Sequence, residues 1–412
     1  MSAELKSRTE SLSGRPTADA QLARALLAAV GGPPVRIALW TGESVAVREP
    51  AEATVRMRDR TALLRLLVDP DMNFGDAYAD GSADVEGDLA QLIELIYRSR
   101  GRAGPLAALL RGALRLLMRP HSNTLAASRE NIQHHYDLGN RFYRLWLDRE
   151  MAYTCAYFPS PETGLEEAQV AKFDHVCRKL RLRAGERVIE AGCGWGGFAL
   201  HAARCYGVKV RAFNISREQL AWARERAREL GLQDRVEFFE DDYRNIAGRC
   251  DAFVSIGMLE HVGRGNYGAL GRVIDRCLTE AGRGLIHSIG QDRGKPLNAW
   301  IERRIFPGAY PPRLGEMMQV LEPRRFSVLD VENLRLHYAL TLEHWLRRFE
   351  AARDEVRAMY DETFVRVWRF YLSGSLAAFR AGELQLYQVV FNRAGSNELP
   401  WTRGYLYDAA GR

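Results

Sequence analysis

The sequence predicts an α/β protein: a doubly wound, seven-stranded Rossmann-like domain with a helical insertion as a lid, preceded by a small α+β accessory domain. Three observations carry this. Strand-like apolar runs alternate with helical segments over 187–331, as in a parallel sheet with helices on both faces. The first of these runs ends in a glycine-rich turn, Val188-Ile189-Glu190-Ala191-Gly192-Cys193-Gly194-Trp195-Gly196-Gly197. At 412 residues the chain is also too long for one ordinary core.

Composition is that of a globular protein, 47% hydrophobic and 27% charged. No run of eighteen apolar residues occurs and the first residues carry no apolar signal core, so a soluble cytoplasmic protein is expected. Six cysteines are scattered without a C-x-x-C pair, which fits reduced thiols rather than a disulfide framework or a zinc knuckle. A net charge of +6 is compatible with nucleic acid, anionic lipid or an Arg-rich solvated surface. No Asn/Asp-Pro-Pro-Tyr or Pro-Cys nucleophile motif supports a nucleic-acid methyltransferase, so no nucleic-acid partner is expected.

Residues 1–120 form the expected accessory domain, with a polar, frayed start over 1–16. Val35–Trp40 and Ala53–Met57 read as short strands, Thr61–Val68 and Asp88–Arg98 as helices. Leu106–Met118 places Leu106, Leu109, Leu110, Ala113, Leu114 and Leu117 on one stripe, with Arg111, Arg115 and Arg119 on an adjoining face. Such a helix either packs one domain on the other or lies in a membrane interface.

A polar linker follows, and 121–412 make the large domain. Its strands are Arg187–Glu190, Val208–Phe213, Arg235–Phe239, Asp251–Ile256 and Gly284–Ile289, with Phe326–Val331 a sixth. Leu386–Phe391 is expected as a final antiparallel edge strand. The aromatic-rich helical stretch over 341–381 is longer than a connection needs, which suggests a cover over a bulky apolar substrate.

Gly192, Gly194 and Gly197 satisfy G-x-G-x-x-G, a turn that equally suits a nicotinamide or flavin. Glu190 tilts the choice. A carboxylate there suits the ammonium of an amino-acid moiety and sits badly beside a pyrophosphate. The second strand ends in Asn214, where a dinucleotide site would want Asp or Glu for the ribose. Ser216 and Gln219 form an S-x-x-Q capping box, with Gln219 also able to reach a ribose. The third strand runs into Asp242 and Tyr243, an acid and a flat side chain, with a solvated acidic loop as the plain alternative.

Further blocks lie on either side: His134-His135-Tyr136-Asp137-Leu138-Gly139-Asn140, Met151-Ala152-Tyr153-Thr154-Cys155-Ala156-Tyr157-Phe158, Gly257-Met258-Leu259-Glu260-His261-Val262-Gly263, Leu285-Ile286-His287-Ser288-Ile289-Gly290, Ile305-Phe306-Pro307-Gly308 and His337-Tyr338-Ala339-Leu340-Thr341-Leu342. Together they resemble the cyclopropane fatty acid synthase family, including the mycolic acid cyclopropane synthases, from about 125 to the end. The resemblance implies an S-adenosylmethionine-dependent methyltransferase acting on cis-unsaturated phospholipid acyl chains. It places Tyr153, Thr154, Gly192, Gly194, Asn214, Gln219, Asp242 and Tyr243 around the cofactor, although Asn214 stands where threonine is expected; Glu190 by its charge, Gly196 by its place in the turn and Ser216 at the following cap join the expected cofactor residues. It implies that Cys155, Glu260, His287 and Tyr338, with the backbone near Ile289, hold bicarbonate. It further implies a homodimer, peripheral at the inner membrane face.

The chemistry explains the ion. An isolated alkene attacking a sulfonium methyl leaves a cation on the acyl chain, and ring closure needs a base for a proton of the added carbon. Water must be kept out, because it would trap the cation as an alcohol. A metal set of Cys155, Glu260 and His287 is disfavoured by the absence of local pair spacing. His261 reads as structural, Tyr136 as a buried tyrosine or a cover over the cofactor, and His337 as pointing away along a strand. Two alternatives stay open: a methylene or methyl-branched product from the same lipid, and a lipid-binding relative without catalysis.

Overall fold

The computed structural model describes residues 16–100 and 138–407. The frayed start, the Leu106–Met118 helix with its arginine face, the polar linker, Tyr136 and the 120/121 boundary lie outside the described residues.

The first unit runs α1 (Ala18–Ala29), β1 (Val35–Ala38), β2 (Ser44–Ala46), β3 (Ala53–Met57), α2 (Arg60–Val68), α3 (Pro70–Ala79), β4 (Ala83–Glu86) and α4 (Leu89–Ser99). Its sheet has the order β2-β1-β3-β4, with β1 and β3 parallel and the outer pairs antiparallel. Aspartates set the helix starts: Asp59, Asp69 and Asp88 accept from Ala62 N, Met72 N and Ala90 N. The sequence reading found β1, β3, α2 and α4 but not α1, β2, α3 or β4. The missing strands are only three and four residues long, and in α3 Gly75 interrupts the helical pattern.

The large unit continues with α5 (Gly139–Arg144), α6 (Leu165–Lys179), β5 (Arg187–Ala191), α7 (Gly197–Tyr206), β6 (Lys209–Asn214), α8 (Arg217–Glu229), β7 (Val236–Glu240), β8 (Cys250–Ile256), α9 (Leu259–Val262), α10 (Tyr267–Cys277) and β9 (Leu278–Gly290). It closes with α11 (Ala299–Arg304), α12 (Leu314–Leu321), β10 (Phe326–Asn333), α13 (Arg335–Ala351), α14 (Arg353–Met359), α15 (Glu362–Ala381) and β11 (Gln385–Arg393). The seven-stranded sheet has the order β10-β11-β9-β8-β5-β6-β7, and the run from β9 to β7 is parallel. This is the α/β fold of the S-adenosylmethionine-dependent methyltransferases.

One expectation needs correcting. β11 is antiparallel, but it lies inside the sheet between β10 and β9, and β10 is the edge. Burial explains the order. Residues Gln385–Asn392 are buried throughout, as a strand covered on both faces must be, whereas β10 is buried only at Phe326 and Asp330.

The two units share one continuous apolar core, which runs from Ala20 through the α13 and α15 side chains to Leu386. Trp300 pins them together. Its ring occupies the space where a Cβ on Gly75 would stand, only 2.5 Å from the indole nitrogen, and its Nε1 donates to Asp76 Oδ1 at 2.9 Å. Arg304 adds an ion pair to the same aspartate, partly exposed and therefore weak. Gly75→Val is expected to drive the Trp300 ring out and to destabilise the protein by about 1–3 kcal/mol. Urea midpoints of the two proteins measure this, and equal midpoints would show that the contact yields.

Candidate active site

The turn after β5 reverses through Gly192 at φ +84° and Gly194 at φ +53°, backbone that side chains rarely adopt. A cavity of about 130 Å³ opens above it at the carboxyl ends of the parallel strands. Tyr153, Thr154, Glu190, Gly192, Gly194, Asn214 and Gln219 line it, as the sequence suggested. A Cβ at Gly194 would meet nothing within 4 Å, so this position faces open space. Glu190 Oε2 is buried without a hydrogen-bond partner. A ligand with an ammonium group answers that orphaned acceptor, so the residues present fit an amino-acid-bearing cofactor.

Gly196, Ser216, Asp242 and Tyr243 do not reach the cavity wall. A Cβ on Gly196 would collide with Phe238 and Ala223, which makes it a packing position. Ser216 Oγ accepts from Gln219 N at 3.4 Å, one half of the expected capping box. The Gln219 side chain does not cap back, because its Oε1 accepts from Asn214 Nδ2 at 2.7 Å. Asn214 also donates to Gly194 O at 3.2 Å and so ties the end of β6 to the turn. Asp242 is buried, with Oδ1 accepting from Arg244 N at 2.9 Å.

Glu260 and Ile289 meet across neighbouring strand ends, where Ile289 N donates to Glu260 Oε1 at 2.5 Å. Glu260 Oε2 is buried without a partner, and burial pushes the carboxyl up to about 7. His287 lies two residues before Ile289, and its carbonyl accepts from Gly257 N at 2.9 Å. Gln388 Nε2 donates to His287 Nδ1 at 3.1 Å, which leaves the ring proton on Nε2. That Nε2 is buried without a partner, and burial holds the ring neutral. An unpaired buried polar atom costs about 1–3 kcal/mol, and two near the ends of neighbouring strands call for a polar guest.

Cys155 and Tyr338 form a second group. Cys155 Sγ contacts Leu334 O at 3.9 Å, and Thr341 Oγ1 accepts from Ala156 N at 3.0 Å, so the Cys155 segment is fastened to α13 on both sides of Tyr338. Burial pushes the thiol up, so Cys155 is neutral. Thr154 joins the groups, its methyl standing 2.7 Å from where a Cβ on Gly257 would be. None of these five residues lines the glycine-turn cavity, although their neighbours Gly257, Met258 and His261 do. His261 is half-buried, and the loss of solvent around its ring pushes it down to about 4. His337 lies in α13 rather than a strand, and its Nδ1 accepts from Phe158 N at 3.0 Å.

Sequence reasoning missed Lys172 and Gln169. Lys172 is buried at the cavity wall and donates to Thr154 Oγ1 at 2.8 Å, and burial pushes it down to about 8. Gln169 Nε2 donates to Ala152 O and Thr154 O at 3.1 and 2.9 Å. The signal was present: Gln169 and Lys172 continue the stripe of Leu165 and Ala168 along α6, the face that must be buried. The loop they hold is strained, with Met151 at φ +54°.

The cover predicted over 341–381 is formed by α13, α14 and α15, and it reaches back to α5. Tyr153 packs on Trp146 and Trp345 at ring distances of 5.2 and 5.3 Å, and its hydroxyl meets that of Tyr371 at 2.6 Å. Among the described residues, no group of His, Cys, Asp and Glu could hold a metal ion, and no helix is long and apolar enough to cross a membrane.

The mycolic acid cyclopropane synthetase family matches residues 123–389, and a domain of unknown function matches 22–103. A probable fatty acid methyltransferase of Pseudomonas putida is 36% identical over 91% of this chain and 96% of its own. The cyclopropane-fatty-acyl-phospholipid synthase of Escherichia coli K12 is 36% identical over 88% of this chain and 93% of its own. Among solved structures, a mycolic acid cyclopropane synthase complexed with SAH and CTAB superposes with a TM-score of 0.61 at 30% identity, covering 64% of this chain and 98% of that one.

Glu260 generates a stability prediction. Its folded carboxyl keeps a proton up to about 7, against the ordinary 4.5, so between those values the folded state binds more protons and stability falls as pH rises. Glu260→Gln removes this contribution. Relative to wild type, the variant is expected to gain stability between pH 5 and pH 7.5, read from urea midpoints; parallel pH dependences would refute the buried-acid assignment.

Proposed function

The chain belongs to the mycolic acid cyclopropane synthetase family, and from that premise we propose that it transfers the one-carbon unit of S-adenosylmethionine to the cis double bond of unsaturated phospholipid acyl chains, closing a cyclopropane ring. The observation that carries the reading is the pair of buried, unpartnered atoms Glu260 Oε2 and His287 Nε2 at adjoining strand ends beside the glycine-turn cavity.

In this reading Glu190 receives the ammonium of the cofactor, and Gly192 and Gly194 let its amino-acid part approach the backbone. Tyr153 and Thr154 form the wall, and Asn214 with Gln219 takes the ribose side; Gly196, Ser216, Asp242 and Tyr243 support the turn and the adenine side. S-adenosylmethionine supplies the electrophilic carbon. Glu260, His287, Tyr338, the Cys155 segment and the backbone near Ile289 would hold bicarbonate, whose chemistry is acceptance of the proton lost at ring closure. Glu260 anchors it best when it carries the hydrogen, donating to an anion, and its raised pKa favours that form. The His287 Nε2–H donates in the same sense. The aromatic cover of Tyr153, Trp345 and Tyr371 excludes water from the cation. Residues 1–120 form the accessory, lipid-contacting domain, and the protein works as a homodimer in the cytoplasm, peripheral to the inner membrane face.

Incubation with labelled S-adenosylmethionine, bicarbonate and vesicles of mono-unsaturated phospholipid is expected to place label in the fatty acids, in a product that resists mild hydrogenation. Absence of label in lipid would remove the proposal, and ready uptake of hydrogen would indicate a methylene branch instead. Gly194→Trp should abolish cofactor binding, measured by calorimetry, by filling the open space above the turn. Retained binding would move the cofactor elsewhere.

A further inference from the structure

A second cavity lies between the two units. At about 180 Å³ it is larger than the glycine-turn cavity at about 130 Å³, and the two share no lining residue. Leu27, Ile37, Met57 and Ile96 line one side of it; Ile301 and Phe370 line the other. Helix α15 divides the two spaces. Tyr371 turns to Tyr153 and the cofactor side, while Phe370, Gly374 and Ala378, spaced one turn apart, face the second cavity. Gly374 keeps that face low: a Cβ there would meet only Ile93, at 3.9 Å.

The inner end of this cavity is joined to the reaction centre by covalent neighbours. Gln291 lines it, two residues beyond Ile289; Gln291 N donates to Pro312 O at 3.0 Å and its Nε2 to Pro311 O at 2.8 Å. Tyr310, next to the lining residue Pro311, donates its N–H to Glu260 O at 2.8 Å. The charged groups on the lining come as opposite pairs, Arg100 with Asp71 and Lys295 with Glu383, each partly exposed, beside the uncharged Gln291, Asn298 and Ser375.

We propose that this cavity takes the second, non-reacting acyl chain of the phospholipid whose first chain reacts at the glycine-turn cavity. The inference rests on the function proposed above. A diacyl lipid offers two apolar chains joined at one polar end; α15 turns Phe370, Gly374 and Ala378 to this cavity and Tyr371 to the wall residue Tyr153 of the other, and residues 289–291 and 310–311 link the Glu260 region to the second cavity. An apolar lining bordered by balanced charge suits a hydrocarbon chain whose headgroup remains outside, and selects for the chain rather than for headgroup charge. The exposed edges of the ion pairs can meet phosphate with Arg100 or Lys295.

The test compares two substrates in the same mixed micelles: a mono-unsaturated diacyl phospholipid and a lysophospholipid that carries only the unsaturated chain. Gly374→Leu fills the second cavity, and Ile96→Trp fills it from the opposite unit should the helix variant fold poorly. Either variant is expected to raise KM for the diacyl lipid about tenfold while the lyso substrate stays within about twofold of wild type. A diacyl-to-lyso ratio that stays at the wild-type value overturns the proposal, including the case where both substrates fall together because the cavity holds the far end of the reacting chain. Wild-type inactivity toward both lipids would instead count against the proposed reaction itself, so the two failures are distinguishable.

Discussion

The hydrogen bond from Ile289 N to Glu260 Oε1 fixes the geometry on which the rest of the site depends. It joins the segment after β8 to the end of β9, and it satisfies one carboxylate oxygen while leaving the other dry and unpaired. A carboxyl so placed is tolerable only if water stays away and something polar visits. The long insertion, the aromatic wall and the fastened loop over 148–155 all follow from that need. Asp148 holds the loop by accepting from Glu150 N and Ala152 N at 2.9 Å, and Gln169 holds it from behind.

Much of the fold was legible because the physics that shaped it is local. Parallel strands buried on both faces read as apolar runs, and all seven of the large sheet were found. The glycine turn was legible because left-handed backbone demands glycine. Placement was harder. An edge place for the antiparallel strand fails because length and position in sequence say nothing of a strand's neighbours, although its run of Leu386, Tyr387, Val389, Val390 and Phe391, broken only by Gln388, already argues for an interior place. The candidate cofactor residues on the first two strands line the cavity. Those after the third strand do not, since the sequence shows an acid and a tyrosine but not that Arg244 engages the acid.

Lys172 shows what remained illegible and why. A lysine on a helix is ordinarily a solvated residue, and only its phase within the α6 stripe marks it as buried. Its effect is collective. Its charge opposes that of Glu190, whose carboxyl burial pushes up to about 8, so the floor of the cavity holds an acid and a base whose proton affinities lie close together. The wall is thereby able to adapt to the charge of its guest without stranding a bare ion.

Tyr153 belongs to two structures at once, since it lines the cofactor cavity and its hydroxyl touches Tyr371 on α15. Any outward movement of α15 that frees a long hydrocarbon therefore also loosens the wall against the cofactor. In the proposed reaction, departure of the modified lipid and exchange of the spent donor become one mechanical event, and the enzyme cannot easily retain a single substrate across successive turnovers.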